Sequence, residues 1–352
     1  MAKPASEWHP AATCDPASQQ YWLGRGRCRT ILKTDDAHHW YKQVSNTDNA
    51  LLSVSAIDSR HAWAVGGNAI VGTENGGQTW KPSIVMFEDR IASLELSSVS
   101  ATRSAIWVTC ASAPLVFKST NGGHTWTVGG FGRQLSVSVT RINSISALDN
   151  NIAWIAGRNG DIAECFIAKT VNGGISWNIE HCHENGQLRA IQALDKNTAW
   201  AVGETRVKAA ADVGEVNGAL ILKTANGGRT WETKKTMSKH LQTATDVAAV
   251  DSNVAIVVIG LREYSEEDDH ENSSATLQLT TDGGDNWSSV PMSNLECWEY
   301  PSIAAVNRKC LALAGAGVAS TNNGGSSWNT HSMVVKAATP SDALVFLRHI
   351  YQ

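Results

Sequence analysis

Thr73-Glu74-Asn75-Gly76-Gly77-Gln78-Thr79-Trp80 recurs along the chain as Ser119–Trp126, Thr170–Trp177, Thr224–Trp231, Thr280–Trp287 and Thr321–Trp328. A worn seventh copy, Thr34-Asp35-Asp36-Ala37-His38-His39-Trp40, is one residue shorter and lacks both glycines. The closing tryptophans fall at 40, 80, 126, 177, 231, 287 and 328, so the units fill nearly the whole chain. A fixed unit of this length is the mark of a repeat architecture. The Asn-Gly-Gly core reads as a turn: glycine permits positive φ, and a carboxamide or carboxylate can bond the backbone N–H groups that follow.

A second signature precedes each turn. An apolar run with an Asp turn leads into a Trp-bearing strand ending in Gly, as in Ser53–Asp58 before Ala62-Trp63-Ala64-Val65-Gly66. Ser144–Asp149 before Ala153–Gly157 and Ala190–Asp195 before Ala199–Gly203 repeat it, and Val247–Asp251 precedes Ile256–Gly260 with Ile for Trp. With a short third strand such as Ile221-Leu222-Lys223, each unit holds four strands and no helical period. The expected fold is all-β: a seven-bladed β-propeller of four-stranded antiparallel blades. Val334–Ala338 and Ala343–Leu347 read as first and second strands, and Ile31–Lys33 and Trp40–Lys42 as the missing third and fourth. One blade is then shared by the two termini, which removes the open edge. The expected organisation is an N-terminal extension over 1–28 and a single propeller over 29–352.

Composition agrees with one packed domain. Of 352 residues 42% are hydrophobic and 18% charged, so the chain is not disordered throughout. The 29 Lys+Arg against 33 Asp+Glu give −4, without the basic surplus of a nucleic-acid binder. No run reaches the ~18 apolar residues of a membrane span. Met1–Glu7 has no apolar h-region, so no signal peptide is expected, although a mature exported form would look the same. Seven cysteines leave at least one unpaired. The compartment therefore stays open, with the cytoplasm favoured.

The Ser/Thr-x-Asn/Asp-Gly-Gly-x-Thr/Ser-Trp motif resembles the Asp-box, or BNR, repeat. Combined with Ala-Trp-Ala-Val-Gly and Ile-Leu-Lys-Thr, it is most similar to propellers of the photosystem II assembly and stability factor family, over about residues 30–347. The resemblance implies a binding scaffold that acts on a protein partner and takes no cofactor. It also leaves a second reading, a carbohydrate-active lectin or glycosidase, because Asp-boxes occur in sialidases and xyloglucanases. Sialidases carry Arg-Ile-Pro and a Tyr–Glu nucleophile pair, whereas here Arg90-Ile91-Ala92 and Arg141-Ile142-Asn143 lack the proline. An enzyme is therefore not expected, and no catalytic residue is assigned.

Of 14 tryptophans, seven close the turns and Trp63, Trp107, Trp154 and Trp200 sit on second strands. Packing between blades is favoured for these eleven over sugar stacking. Trp8, Trp22 and Trp298 fall outside the pattern. In the family the ligand face carries the connections from fourth to first and from second to third strands. Arg90, Arg141 and Arg189 near first-strand entries, with Arg133 leading to Arg141, form a candidate anion-binding patch. Solvated strand ends are the bland reading of the same residues. Asp246, Glu299 and Trp298 occupy comparable regions on the next blades, giving a face of split charge that binds a protein partner or a glycan. The protein is expected to be a monomer.

The insertions Glu204–Gly218 and Tyr264–Glu271 read as mobile loops. Cys165 and Cys182 lie five residues outside Thr170 and Trp177, facing each other across one hairpin. Free or disulfide-bonded cysteines are favoured there over a metal site with His181 and His183. No metal is assigned.

Overall fold

The computed structural model describes residues 30–34, 40–87, 90–91, 94–129, 139–159, 164–208, 215–237, 241–265, 270–292, 301–314, 318–331, 344–345 and 347–348. It is an all-β propeller of four-stranded antiparallel blades. Blade 1 holds strands Ser53–Ala56, Ala62–Gly66, Ala69–Thr73 and Lys81–Ser83. Blade 2 holds Leu96–Ala101, Ile106–Cys110, Val116–Ser119 and Thr127–Val128. Blade 3 runs through Val139–Ala147, Ala153–Asn159 and Glu164–Thr170 into the first part of Asn178–Ala193. The second part of that 16-residue strand opens blade 4, followed by Ala199–Lys208, Glu215–Thr224 and Glu232–Met237. Blade 5 is Leu241–Ala249, Ala255–Ser265, His270–Thr280 and Ser288–Val290. Blade 6 is Ser302–Ala305, Leu311–Ala314, Val318–Thr321 and Asn329–His331.

Six complete blades are therefore present among the described residues, where the repeats lead to an expectation of seven. At the seventh place Thr30–Lys33 and Tyr41–Val44 pair antiparallel, and Leu344–Val345 joins Thr30–Ile31 in parallel. A second strand of a blade would run antiparallel to the third, so this segment has the opposite polarity. Leu347–Arg348 then pairs, also in parallel, with Val54–Ser55 of blade 1. The expected first strand, Val334–Ala338, lies outside the described residues.

The repeated turns hold their shape by one hydrogen-bond set. In the blade 3 turn, Gly173 and Gly174 have φ of 76° and 85°, the left-handed region that a Cβ disfavours. Gly174 N donates to Thr170 Oγ1 at 2.9 Å, and Ser176 N donates to Asn172 Oδ1 at 2.9 Å. Asn172 Nδ2 returns a bond to Ser176 Oγ at 2.8 Å. Gly173 N reaches across to Asn151 O in the turn between first and second strands, tying both turns on one face of the disc.

Neighbouring blades are joined at two depths. On that face Lys169 Nζ of blade 3 donates to Lys196 O and Gly227 O of blade 4 while lying 4.3 Å above the Trp154 ring. Lys223 does the same between blades 4 and 5, and Lys118 between blades 2 and 3. Along the inner strands, serine hydroxyls accept from the next blade's backbone. Ser98 and Ser100 take Ile145 N and Ala147 N, and Ser144 and Ser146 take Ile191 N and Ala193 N. Buried hydroxyls satisfied in this way fix the inner strands against each other.

The described parts of the two insertions are paired strand rather than loop, and residues 209–214 and 266–269 lie outside the described residues. Blade 4's second and third strands stay paired to Lys208↔Glu215, and blade 5's to Ser265↔His270. Continuing an existing ladder satisfies each backbone group, so the extra residues extend as ribbons.

Candidate functional site at the loop face

The face opposite the repeated turns carries the connections from second to third and from fourth to first strands. Its centre is set by bulges in four successive first strands, at Leu96/Ser98, Ile142/Ser144, Leu188/Ala190 and Ala244/Asp246. A bulge re-aims one side chain per strand. Here those residues are Ser97, Asn143, Arg189 and Thr245. Asn143 Nδ2 donates to Leu188 O of blade 4 at 2.7 Å, as Ser97 Oγ donates to Ile142 O at 2.8 Å. Arg189 breaks that series and turns to a carboxylate. Its Nη2 lies 3.0 Å from Glu204 Oε1, with the two side chains 29% and 13% exposed.

Glu204 is the hub of this region and was not singled out as a site residue from sequence. Oε1 also accepts from Gln187 Nε2, and Oε2 accepts from Thr243 Oγ1 of blade 5 at 2.5 Å. Two blades are therefore bridged by one carboxylate. Arg141 sits in blade 3 opposite Arg158, so its counterpart in blade 4 is Gln187 rather than Arg189. The two arginines therefore occupy adjacent blades at different registers. Around them five buried polar atoms have no hydrogen-bond partner among the described residues: Arg141 Nε, Arg189 Nε, Asn159 Oδ1, Gln242 Oε1 and Thr245 Oγ1. All belong to the loop-face ends of first and second strands in blades 3–5.

The other expected residues are placed differently. Asp246 is 3% exposed, and its carboxylate accepts from Val247 N at 3.0 Å and from Ile303 N of blade 6 at 3.1 Å. It thus takes the position that Ser144 holds two blades earlier. Arg90 belongs to a two-residue strand, Arg90–Ile91, paired with Met86–Phe87, five residues and more ahead of blade 2's first strand. Arg133, Trp298 and Glu299 lie outside the described residues, as do Trp8, Trp22, Cys14 and Cys28. Cys165 is disulfide-bonded. The register sets it opposite the bulged stretch between His181 and Asn185, which contains Cys182. Among the described residues no three His, Cys, Asp or Glu side chains converge, and no helix is long and apolar enough to cross a membrane. None of the described tryptophans is exposed.

A family model described as photosynthesis system II assembly factor YCF48 matches residues 32–205. Over that stretch the chain is similar to the photosystem II assembly factor propellers. Among solved structures it is similar to YCF48 bound to D1 peptide, at 18% identity and a TM-score of 0.56 over 80% of each chain. YCF48 from Cyanidioschyzon merolae matches at 17% identity and a TM-score of 0.57, over 82% of this chain and 87% of that one. An ancestral GH74 enzyme matches at 14% and 0.54, over 80% of this chain but 38% of the enzyme. At these identities the likeness is one of fold. No curated protein matches this chain.

Proposed function

We propose that this assembly factor-like propeller is a non-catalytic binding scaffold whose loop face holds an anionic segment of a protein partner. The observation that carries the reading is the half-buried pair Arg141 and Arg189 with unpartnered Nε donors, amid unpartnered carbonyl and hydroxyl oxygens. A buried donor without a partner costs free energy unless water or a ligand satisfies it. A carboxylate-bearing peptide supplies acceptors for the guanidinium donors, and its backbone N–H groups suit Gln242 Oε1 and Asn159 Oδ1. Glu204 holds Arg189 in place and lowers the net positive charge, so Arg141 is the stronger anchor. Arg90 and Arg133 are assigned to the same patch from sequence. The similarity to a YCF48 with D1 peptide bound supports a peptide as the ligand class.

The same reading includes a seven-bladed ring closed by both termini, forming one domain over 29–352 after an extension over 1–28. Two contacts support it. Lys33 Nζ stands 3.1 Å from where a Cβ on Gly76 would lie, as Lys118, Lys169 and Lys223 stand at Gly173, Gly227 and Gly283. Gln43 also accepts from Trp80 Nε1 and donates to Gly76 O, the part Ser83 plays for Trp126 and Gly123. The repeated turns act in this reading as structural Asp-boxes on the far face.

Capture from an extract of the native host tests the function. The intact protein should retain a specific partner that the Arg141→Ala/Arg189→Ala double variant loses. Equal recovery by both would overturn the assignment of this face.

A further inference from the structure

Five of the repeated turns carry an Asn-Gly pair, at 75–76, 121–122, 172–173, 226–227 and 323–324. Four of them hold the glycine N–H. Gly76 N donates to Arg60 O at 2.9 Å, Gly173 N to Asn151 O at 2.9 Å, Gly227 N to Asn197 O at 2.8 Å and Gly324 N to Lys309 O at 3.0 Å. Each acceptor belongs to the turn between first and second strands of the same blade. Gly122 of blade 2 differs: its N–H has no acceptor among the described residues. A Cβ on Gly122 would meet nothing within 4 Å, whereas one on the other four would meet a backbone carbonyl at 3.0 to 3.4 Å. Gly122 is exposed, and the other four are half-buried.

Two departures from the repeat account for this. The turn between first and second strands opens on Asp58, Asp149, Asp195 and Asp251 in blades 1, 3, 4 and 5, but on Thr102 in blade 2. Asp149 Oδ1 accepts from Asn151 N and Ile152 N at 2.6 and 2.8 Å. Thr102 Oγ1 accepts from Ser104 N and Ala105 N at 3.3 and 3.1 Å. In this looser turn Ser104 O, the counterpart of Asn151 O, makes no bond to Gly122 N. Gly72 also stands in blade 1 at the place of Lys33, Lys118, Lys169 and Lys223, whose ammonium groups reach Gly76, Gly173, Gly227 and Gly283.

We propose that Asn121 is a deamidation site, the turn asparagine that this fold leaves open to attack by its own backbone. The Gly122 nitrogen gives up its proton and bonds to Asn121 Cγ. The Cγ–Nδ2 bond breaks, and ammonia leaves with the two amide protons and the one released. Water then opens the succinimide at Cγ to give aspartate, or at the main-chain carbonyl to give isoaspartate. Glycine has no Cβ to obstruct the attack, and a nitrogen already donating to a carbonyl must first break that bond. The carboxamide does not distinguish the turns, since Asn121 bonds Thr125 as Asn172 bonds Ser176. The aspartate product fits, because Asp282 holds the same place in blade 5 and accepts from Asn286 N. Isoaspartate adds a carbon to the main chain in the turn that seats Trp126, whose Nε1 donates to Ser83 Oγ of blade 1 at 2.8 Å. Ageing of this turn therefore loosens the joint between blades 1 and 2. Outside the turns, Asn185-Gly186 and Asn217-Gly218 lie in strand ladders, and Gly160, which follows Asn159, lies outside the described residues.

The test incubates the full chain at mildly alkaline pH, folded and in urea. Peptide mass mapping follows the five turn asparagines, and enzymatic carboxyl methylation measures isoaspartate. In the folded protein Asn121 should convert about fivefold faster or more than each of the other four, the factor for breaking one backbone hydrogen bond before attack. In urea the five rates should converge, because each asparagine then precedes an unheld glycine. Thr102→Asp restores the side chain of the other turns and should slow conversion of Asn121 in the folded state. Another turn asparagine converting as fast as Asn121 in the folded protein would overturn the proposal. So would a lead for Asn121 that persists in urea, because the fold would then not set it.

Discussion

Trp154 of blade 3 and Trp231 of blade 4 meet edge to face, with ring centroids 5.8 Å apart and planes at 88°. Trp107 and Trp177, and Trp200 and Trp287, repeat the contact one blade before and one blade after. Each pair joins a second strand to the next blade's turn, and a lysine lies over the ring of the second-strand tryptophan. The blades are therefore bonded to each other through the same residues that shape each blade. Replacing Trp154 by Ala should destabilise the protein by about 3–5 kcal/mol, the range for deleting a fully buried aromatic ring. Urea unfolding measures this. A loss below about 1 kcal/mol would mean that the blades are held together elsewhere.

Lys223 provides a second handle on the blade joint. Its ammonium donates to Ser252 O at 2.7 Å and Gly283 O at 3.2 Å and sits over Trp200 at 4.9 Å. Burial lowers its pKa from the ordinary lysine value. Lys223→Met keeps the stem and removes the charge, so it should cost about 1–3 kcal/mol by leaving two carbonyls unpaired. Thermal melting reads the change, and an unaltered midpoint would contradict the role.

Gly227, with φ of 80°, has no backbone closer than Lys196 O at 3.4 Å to an added Cβ. Gly227→Val should therefore destabilise through backbone conformation more than through clash, by more than about 1 kcal/mol. The folded fraction should keep its peptide affinity, since the turn is on the far face. A variant as stable as the parent would contradict the turn geometry.

Blade 5 alone among the six intact turns carries Asp, at 282, where the others carry Asn. The Asn286 backbone N–H, its carboxamide and the Thr280 hydroxyl bond the carboxylate and lower its pKa to about 2. A lowered folded-state pKa stabilises above the unfolded value near 3.9 and is lost as pH falls toward 2. Asp282→Asn should leave the urea midpoint at pH 7 nearly unchanged and reduce its drop between pH 4 and pH 2.5. An identical acid response in both proteins would show that this carboxylate is not linked to folding.

The turns and the tryptophan pattern were legible because their determinants are local. Thr170, Asn172, Gly173, Gly174 and Ser176 bond each other within seven residues, and the period repeats the message. The serine ladder also left a signal, Ser-x-Ser at 53–55, 98–100 and 144–146, which reads as an ordinary alternating strand until the next blade is beside it. Glu204 left none. Its partners Gln187 and Arg189 on one strand and Thr243 on another lie 15 to 39 residues away along the chain, and it stands in what looks like the start of a loop. The registers of Arg141 and Arg189 were obscured by bulges, each of which shifts every later residue by one position. The Cys165 hairpin was read correctly as a hairpin, but its outer strand continues without a loop into blade 4. Nothing in residues 185–187 announces that continuity.

The account rests on the loop face of blades 3–5 binding an anionic peptide, and titration with an acidic decapeptide at low and at moderate salt tests it most directly. Arg141→Ala should weaken binding by about 1–3 kcal/mol at both salt concentrations, as expected for a charge-assisted bond in a half-buried site. Arg189→Ala should weaken it less, because Glu204 already shares that guanidinium. Affinity that is the same in the parent and both variants at either salt concentration would contradict the account.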